Sequence, residues 1–267
     1  MQRKLILVGT VVAFFAVACE KVPISGRKQV SLVPESEMIK MSLTSYNDFL
    51  SKNPPVTGSD PNALLVKKVG AGISQAVEVF LKEKKQASRI KGYKWEFNYV
   101  NNAAINAWCM PGGKVVVYSG LIPVTQTEDA LACVMGHEIA HAIARHGNER
   151  MSQGLIVEAG GMALQVALAQ KAQLTQDLFY QSYGIGSQLG MLKYSRVHES
   201  EADKLGLVFM ALAGYNPSEA VAFWERMAAA SGGNAPIELL STHPSDATRI
   251  ADIKKFLPQA MKYYRKK

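Results

Sequence analysis

Residues 137–141 read His137-Glu138-Ile139-Ala140-His141, inside a run whose apolar residues recur at helical spacing from Glu128 to about Met151. Two histidines four positions apart project from one helix face, one turn from each other. That separation lets both imidazoles hold one Zn²⁺. Glu138, beside the first of them, is placed to take a proton from an attacking water. A catalytic zinc needs three protein ligands and an open position, so a further donor must come from elsewhere in the chain. The acidic run Glu199-Ser200-Glu201-Ala202-Asp203 offers it. Glu199 and Asp203 share a helix face, whereas Glu201, two helical steps of about 100° each from Glu199, points to the other side. One acid of the pair can bind the metal and the other can orient a ligand histidine. Spacing leaves open which does which. His146, five residues past His141, and His198, next to Glu199, read as turned off the ligand face.

Together with Ser241-Thr242-His243-Pro244-Ser245-Asp246-Ala247-Thr248-Arg249, these motifs resemble, in order, the gluzincin zinc metalloendopeptidases that include HtpX, the CAAX prenyl proteases, BepA and LoiP. The resemblance spans roughly residues 90–257, and the single-domain, soluble lipoprotein members are the nearest in kind. It implies one Zn²⁺ per chain on His137, His141 and Glu199, with Glu138 as the catalytic acid–base. Asp203 then becomes the partner of a ligand histidine. It also places His243 near the metal, as a donor to the oxyanion or as occupant of the open position in a latent state. Arg249 is a weaker candidate for oxyanion or carboxylate contact. The implied fold is α+β and mostly helical: a zincin-like metalloprotease domain with a small β-sheet next to the active-site helix. The implied function is a zinc endopeptidase of the bacterial cell envelope that degrades misfolded or specific envelope proteins. The alternative is a catalytically quiet, zinc-binding, chaperone-like or client-binding lipoprotein.

The elements that must carry these residues are legible from periodicity. A helix is expected from Pro34 to Leu50 and another from about Asn62 to Lys85, where Leu65, Val69, Ile73, Val77 and Phe80 recur at helical spacing. Tyr93, Trp95, Phe97 and Tyr99 alternate with polar residues as in a half-buried strand. Pro111-Gly112-Gly113 is a turn, and Lys114–Tyr118 (KVVVY) reads as a second strand. As the strand preceding the active helix, its Val115, Val116 and Val117 are candidates to receive an extended peptide by strand addition. Thr125 or Thr127 caps the active helix. Residues 152–190, rich in Gly, Ala and Gln, are a candidate lid over the cleft. Further helices are expected from near Val197 to Gly214, from Asn216-Pro217-Ser218-Glu219 onward, and after His243.

The chain has 267 residues, 48% of them hydrophobic and 19% charged, which suits a packed globular domain and excludes wholesale disorder. Three cysteines cannot frame a disulfide-stapled fold. Arg3 and Lys4 precede an apolar run, Leu5 to Ala18, that is too short to span a bilayer and ends at Ala16-Val17-Ala18-Cys19. This resembles a bacterial lipobox, so residues 1–18 read as a signal peptide and Cys19 as a lipidation site. The expected domains are that peptide, an extended arm with a short helix over 19–61, and the metallopeptidase domain over 62–267. The expected address is the periplasm-facing envelope, lipid-anchored, with the outer membrane favoured. Cys109 and Cys133 read as core thiols whose pairing is open. The net charge of +8 is dispersed and partly terminal. With no basic helix or finger, no nucleic-acid partner is expected; the expected partners are unfolded or extended polypeptide and a membrane.

Overall fold

The computed structural model describes residues 19–159, 172–183, 194–230, 239, 243 and 247–266. The sequence readings of residues 1–18, of 160–171 and 184–190 within the candidate lid, and of Ser241, Thr242 and Pro244 to Asp246 lie outside these residues. Strands β1 (Cys19–Lys21) and β2 (Lys28–Val30) pair antiparallel, so the arm closes on itself as a hairpin. Helix α1 (Glu35–Lys52) follows Pro34, with Glu35 and Glu37 favouring the positive end of its dipole. Helix α2 (Pro61–Glu83) starts on a proline, and its cap Asp60 accepts the Ala63 N–H.

A three-stranded sheet follows, built from β3 (Glu96–Val100), β4 (Ala107–Met110) and β5 (Lys114–Tyr118) in the order β3-β5-β4. β5 runs parallel to β3 and antiparallel to β4. This corrects the assignment of Val115, Val116 and Val117 as a peptide-receiving edge. Their strand is the middle one, buried throughout, with its backbone groups already committed on both sides. Alternate residues serve two cores: Val115 and Val117 face the larger core with Ala107 and Cys109, while Val116 and Tyr118 face a smaller one with Trp108 and Met110. A strand buried on both faces loses the apolar–polar alternation, which is why β4 escaped the period-two reading.

The rest is helical: α3 (Ile122–Thr125), α4 (Glu128–Ala144), α5 (His146–Ala159), α6 (Ala172–Tyr183), α7 (Arg196–Leu212), α8 (Glu219–Ala230) and α9 (Ala247–Ala260). The fold is the mostly helical α+β zincin-like domain expected. α4 is its axis, with every residue from Ala130 to Ala144 buried. It packs against α7, β4 and α2, and α2 also packs on α7. The helix expected to run on to Met151 instead breaks at Arg145, which takes a left-handed conformation (φ 61°) and restarts the chain as α5. Of the candidate lid, the described parts are the end of α5 and α6. These pack together and put Leu155, Leu178, Phe179 and Tyr183 into the smaller core.

Candidate metal centre and active site

Thr127 caps α4 by accepting the Ala130 N–H, and Glu128 and Asp129 occupy its first turn. Ser195 caps α7 by accepting the His198 N–H. The two helices cross where neither carries a side chain. A Cβ on Gly206 would lie 2.9 Å from the His137 nitrogen, and one on Gly136 would lie 3.0 Å from the Gly206 carbonyl oxygen. This backbone contact brings the acids of α7 within reach of the histidines of α4.

His137, His141, Glu199 and His243 converge there, each with a donor atom within 4.8 Å of the others, and all four are buried. His137 Nε2 lies 3.0 Å from His141 Nε2 and 3.2 Å from His243 Nδ1. Glu199 Oε1 lies 3.0 Å from His243 Nδ1 and 3.4 Å from His141 Nε2. A tetrahedral ion with arms of 2.0–2.1 Å has edges of about 3.3 Å, so these spacings fit zinc. Three imidazoles and a carboxylate are also the donor chemistry zinc prefers. Glu138 stands beside the cluster, its Oε1 3.6 Å from His243 Nε2 and without a hydrogen-bond partner among the described residues.

The electrostatics favour a cation at this point. Burial and Arg249 disfavour a charged His137, but hydrogen bonds to Asp203 and Glu199 outweigh them and raise its pKa to about 9. Burial would raise Glu199, yet the His243 and Arg249 charges hold it well below the usual carboxylate range. Burial pushes Glu138 up, against the opposing pull of His243 and His137. A raised carboxylate suits a group that must take and return a proton near neutrality.

Asp203 Oδ1 lies 2.9 Å from His137 Nδ1, and Arg249 grips Asp203 through Nε (2.9 Å) and Nη2 (2.8 Å). Arg249 also lies 2.8 Å from Glu199 and over the Trp224 ring at 3.6 Å, so it is a buried carboxylate partner rather than a solvated arginine. His198 lies outside the cluster, 3.0 Å from Glu149. His146 is no member of the cluster either, but the break at Arg145 swings it back, and its Nδ1 lies 2.9 Å from His141 Nδ1. Its Nε2 lies 3.0 Å from Glu201, the acid that the helical wheel turns away from the site. Tyr194, unmarked in the sequence, stacks on His243 and lies 4.0 Å from the His141 ring, with Arg150 against it. Cys109 and Cys133 are free, buried thiols. Cys19 opens β1.

A buried His-Glu-x-x-His helix crossed by a Glu-bearing helix defines a zinc metallopeptidase domain. The chain belongs to peptidase family M48, which it matches over residues 73–257, and the family makes it a zinc metalloendopeptidase. It is 34% identical over 245 residues to the mitochondrial metalloendopeptidase OMA1 of Schizosaccharomyces pombe, covering 90% of this chain and 67% of that protein. Identity to the human mitochondrial metalloendopeptidase OMA1 is 28%, over 94% of this chain and 48% of the relative. With the β-barrel assembly-enhancing protease of Escherichia coli it is 33%, over 59% of this chain and 33% of the relative. The chain thus spans from about a third to two-thirds of the length of these relatives. The expected bacterial envelope address is overturned: the relatives matched over nine-tenths of the chain are mitochondrial proteins. With that address goes the outer membrane as the anchoring surface for a lipid on Cys19. Among the described residues, no helix is long and apolar enough to cross a membrane.

Proposed function

We propose that this chain cleaves unfolded or extended polypeptides in protein quality control. His137, His141 and Glu199 hold the zinc, Glu138 acts as acid–base, and His243 closes the fourth position until substrate arrives. The observation that carries this reading is the convergence of four buried donor atoms beside an unpartnered Glu138 oxygen. When bound, zinc supplies Lewis-acid polarisation of the scissile carbonyl and makes water acidic enough to attack near neutrality. Glu138 takes the proton from the attacking water and passes it to the leaving amine. His243, 3.0 Å from Glu199 and 3.6 Å from Glu138, must swing aside to admit the carbonyl. Its imidazole then stands ready to donate to the developing oxyanion. Asp203 fixes the tautomer of His137, keeping Nε2 free for the metal. A peptide adding to the sheet would pair with β4, the outer strand that packs on α4.

The test is cleavage of unfolded casein by the wild type and by Glu138→Gln, with zinc content measured in both. The expected result is bound zinc in both and activity lower by about 10²–10⁴-fold in the variant. Full activity in Glu138→Gln would remove the acid–base role, and absence of zinc from both would remove the site. A quiet client-binding protein would bind casein and leave it whole in both.

A further inference from the structure

We infer that Arg27, on the N-terminal hairpin, is a positioning residue for the metal ligand His141, acting through Glu201 and His146. The inference rests on the reading of His141 as a zinc ligand. The guanidinium of Arg27 donates to Glu201 through Nε (3.0 Å) and Nη2 (2.9 Å), and to Glu149 through Nη1 and Nη2 (both 2.7 Å). Ser25 adds its hydroxyl to Glu201. Glu201 faces His146 Nε2 at 3.0 Å, and His146 Nδ1 faces His141 Nδ1 at 2.9 Å. His198, bonded to Glu149, stacks on the His146 ring at 4.5 Å.

The direction of this chain is fixed by what each atom can do. An ionised carboxylate only accepts, so His146 presents its N–H at Nε2. Its Nδ1 is then an acceptor and takes the N–H of His141 Nδ1. That leaves the lone pair of His141 on Nε2, the atom that faces His137, Glu199 and His243. A reversed chain would put a proton on Nε2 and remove His141 from the ligand set. Arg27 holds Glu201 in register and places one positive charge between it and Glu149, two buried acids that would otherwise repel each other more strongly. Planar, bidentate donation to two carboxylates at once is a task lysine cannot copy. The hairpin carries a second clamp, Glu20 on Arg145, which does not enter this chain.

The test is zinc affinity by chelator competition, together with the visible spectrum of the Co²⁺-substituted protein, on the full chain. Arg27→Gln is expected to weaken zinc binding about 10-fold and to change the cobalt bands, as loss of a ligand's outer partner does. Arg27→Lys should recover only part of the loss. Glu20→Gln loosens the same hairpin and should leave both readouts at wild-type values. If Arg27→Gln does not fold, Glu201→Gln, which keeps the shape and loses the charge, should give the same two changes. Zinc affinity and cobalt spectrum unchanged in the folded Arg27 or Glu201 variant would overturn the inference. So would equal losses in Glu20→Gln, which would mean that only general stability was disturbed. A wild-type chain that holds no zinc would overturn the site reading itself, and the inference with it.

Discussion

The two histidines of α4 are held in the same way from opposite ends of the chain. On one side, Asp203 of α7 touches His137 directly, and Arg249 of α9 pins Asp203. On the other, Glu201 of α7 reaches His141 only through His146, and Arg27 of the hairpin pins Glu201. Each side is a carboxylate from one helix, locked by a guanidinium that arrives from far away in sequence. They differ in burial and in length. The Arg249 side is sealed among Trp224 and the two acids, with 6% of its side chain exposed, whereas Arg27 keeps 28% in water. A single direct contact under full burial is the stiffer device, and a three-part chain that ends on a partly exposed arginine is the one that can be loosened.

That contrast orders the variants. Arg249→Gln should be the most costly, because it removes the guanidinium that bridges the buried Asp203 and Glu199. A loss of about 3–5 kcal/mol is expected in the denaturant unfolding of the metal-free chain. An effect no larger than that of an exposed pair would erase the distinction between the two sides. Next, Asp203→Asn keeps the shape but offers His137 a weaker and ambiguous partner. Zinc affinity should fall about 100-fold, ten times more than for Arg27→Gln. Equal losses would make the two sides equivalent.

Acid should expose the hairpin side. Burial works against ionisation of Glu149 and Glu201, but hydrogen bonds from Arg27 and their histidines bring both down to about 2. A carboxylate depressed in the folded state contributes stability above its ordinary pKa near 4.5, and this is lost as pH falls toward 2. Glu149→Gln should therefore flatten the loss of stability between pH 5 and pH 3 by roughly 2 kcal/mol, read from denaturant midpoints. The smallest effect belongs to Ser25→Ala, which removes one of several donors to Glu201 and should cost about 1 kcal/mol.

How far the sequence could see follows the same division. His137, Glu138 and His141 lie within five residues of one helix, so their spacing alone put the two histidines on one face with Glu138 beside them and named the chemistry. Glu199 and Asp203 were legible as a pair by the same rule, and the family resemblance chose between them. Glu201 and His146 stay outside the ligand cluster, as the helical wheel implies, but their chain of contacts to His141 was missed because an unbroken wheel turns both away. The wheel fails at Arg145, whose left-handed backbone no local residue signals, and it ignores a hairpin that approaches α7 from outside. Arg27 was invisible as a contributor because its partners are 122 and 174 residues distant. β4 was missed because a strand buried on both faces shows hydrophobicity without period, and β5 was misplaced because periodicity does not reveal order in a sheet. Gly136 and Gly206, which let α4 and α7 touch, carry meaning only once the crossing is known.

The most direct measurement is X-ray absorption at the zinc edge of the loaded wild type and of His243→Ala. The arrangement of His137, His141, His243 and Glu199 predicts a four-coordinate shell of three nitrogens and one oxygen, with nitrogens at about 2.0–2.1 Å, in the wild type. In His243→Ala one nitrogen should be replaced by oxygen from water, with zinc retained. Sulfur in the shell, or a wild-type spectrum that His243→Ala leaves unchanged, would contradict it.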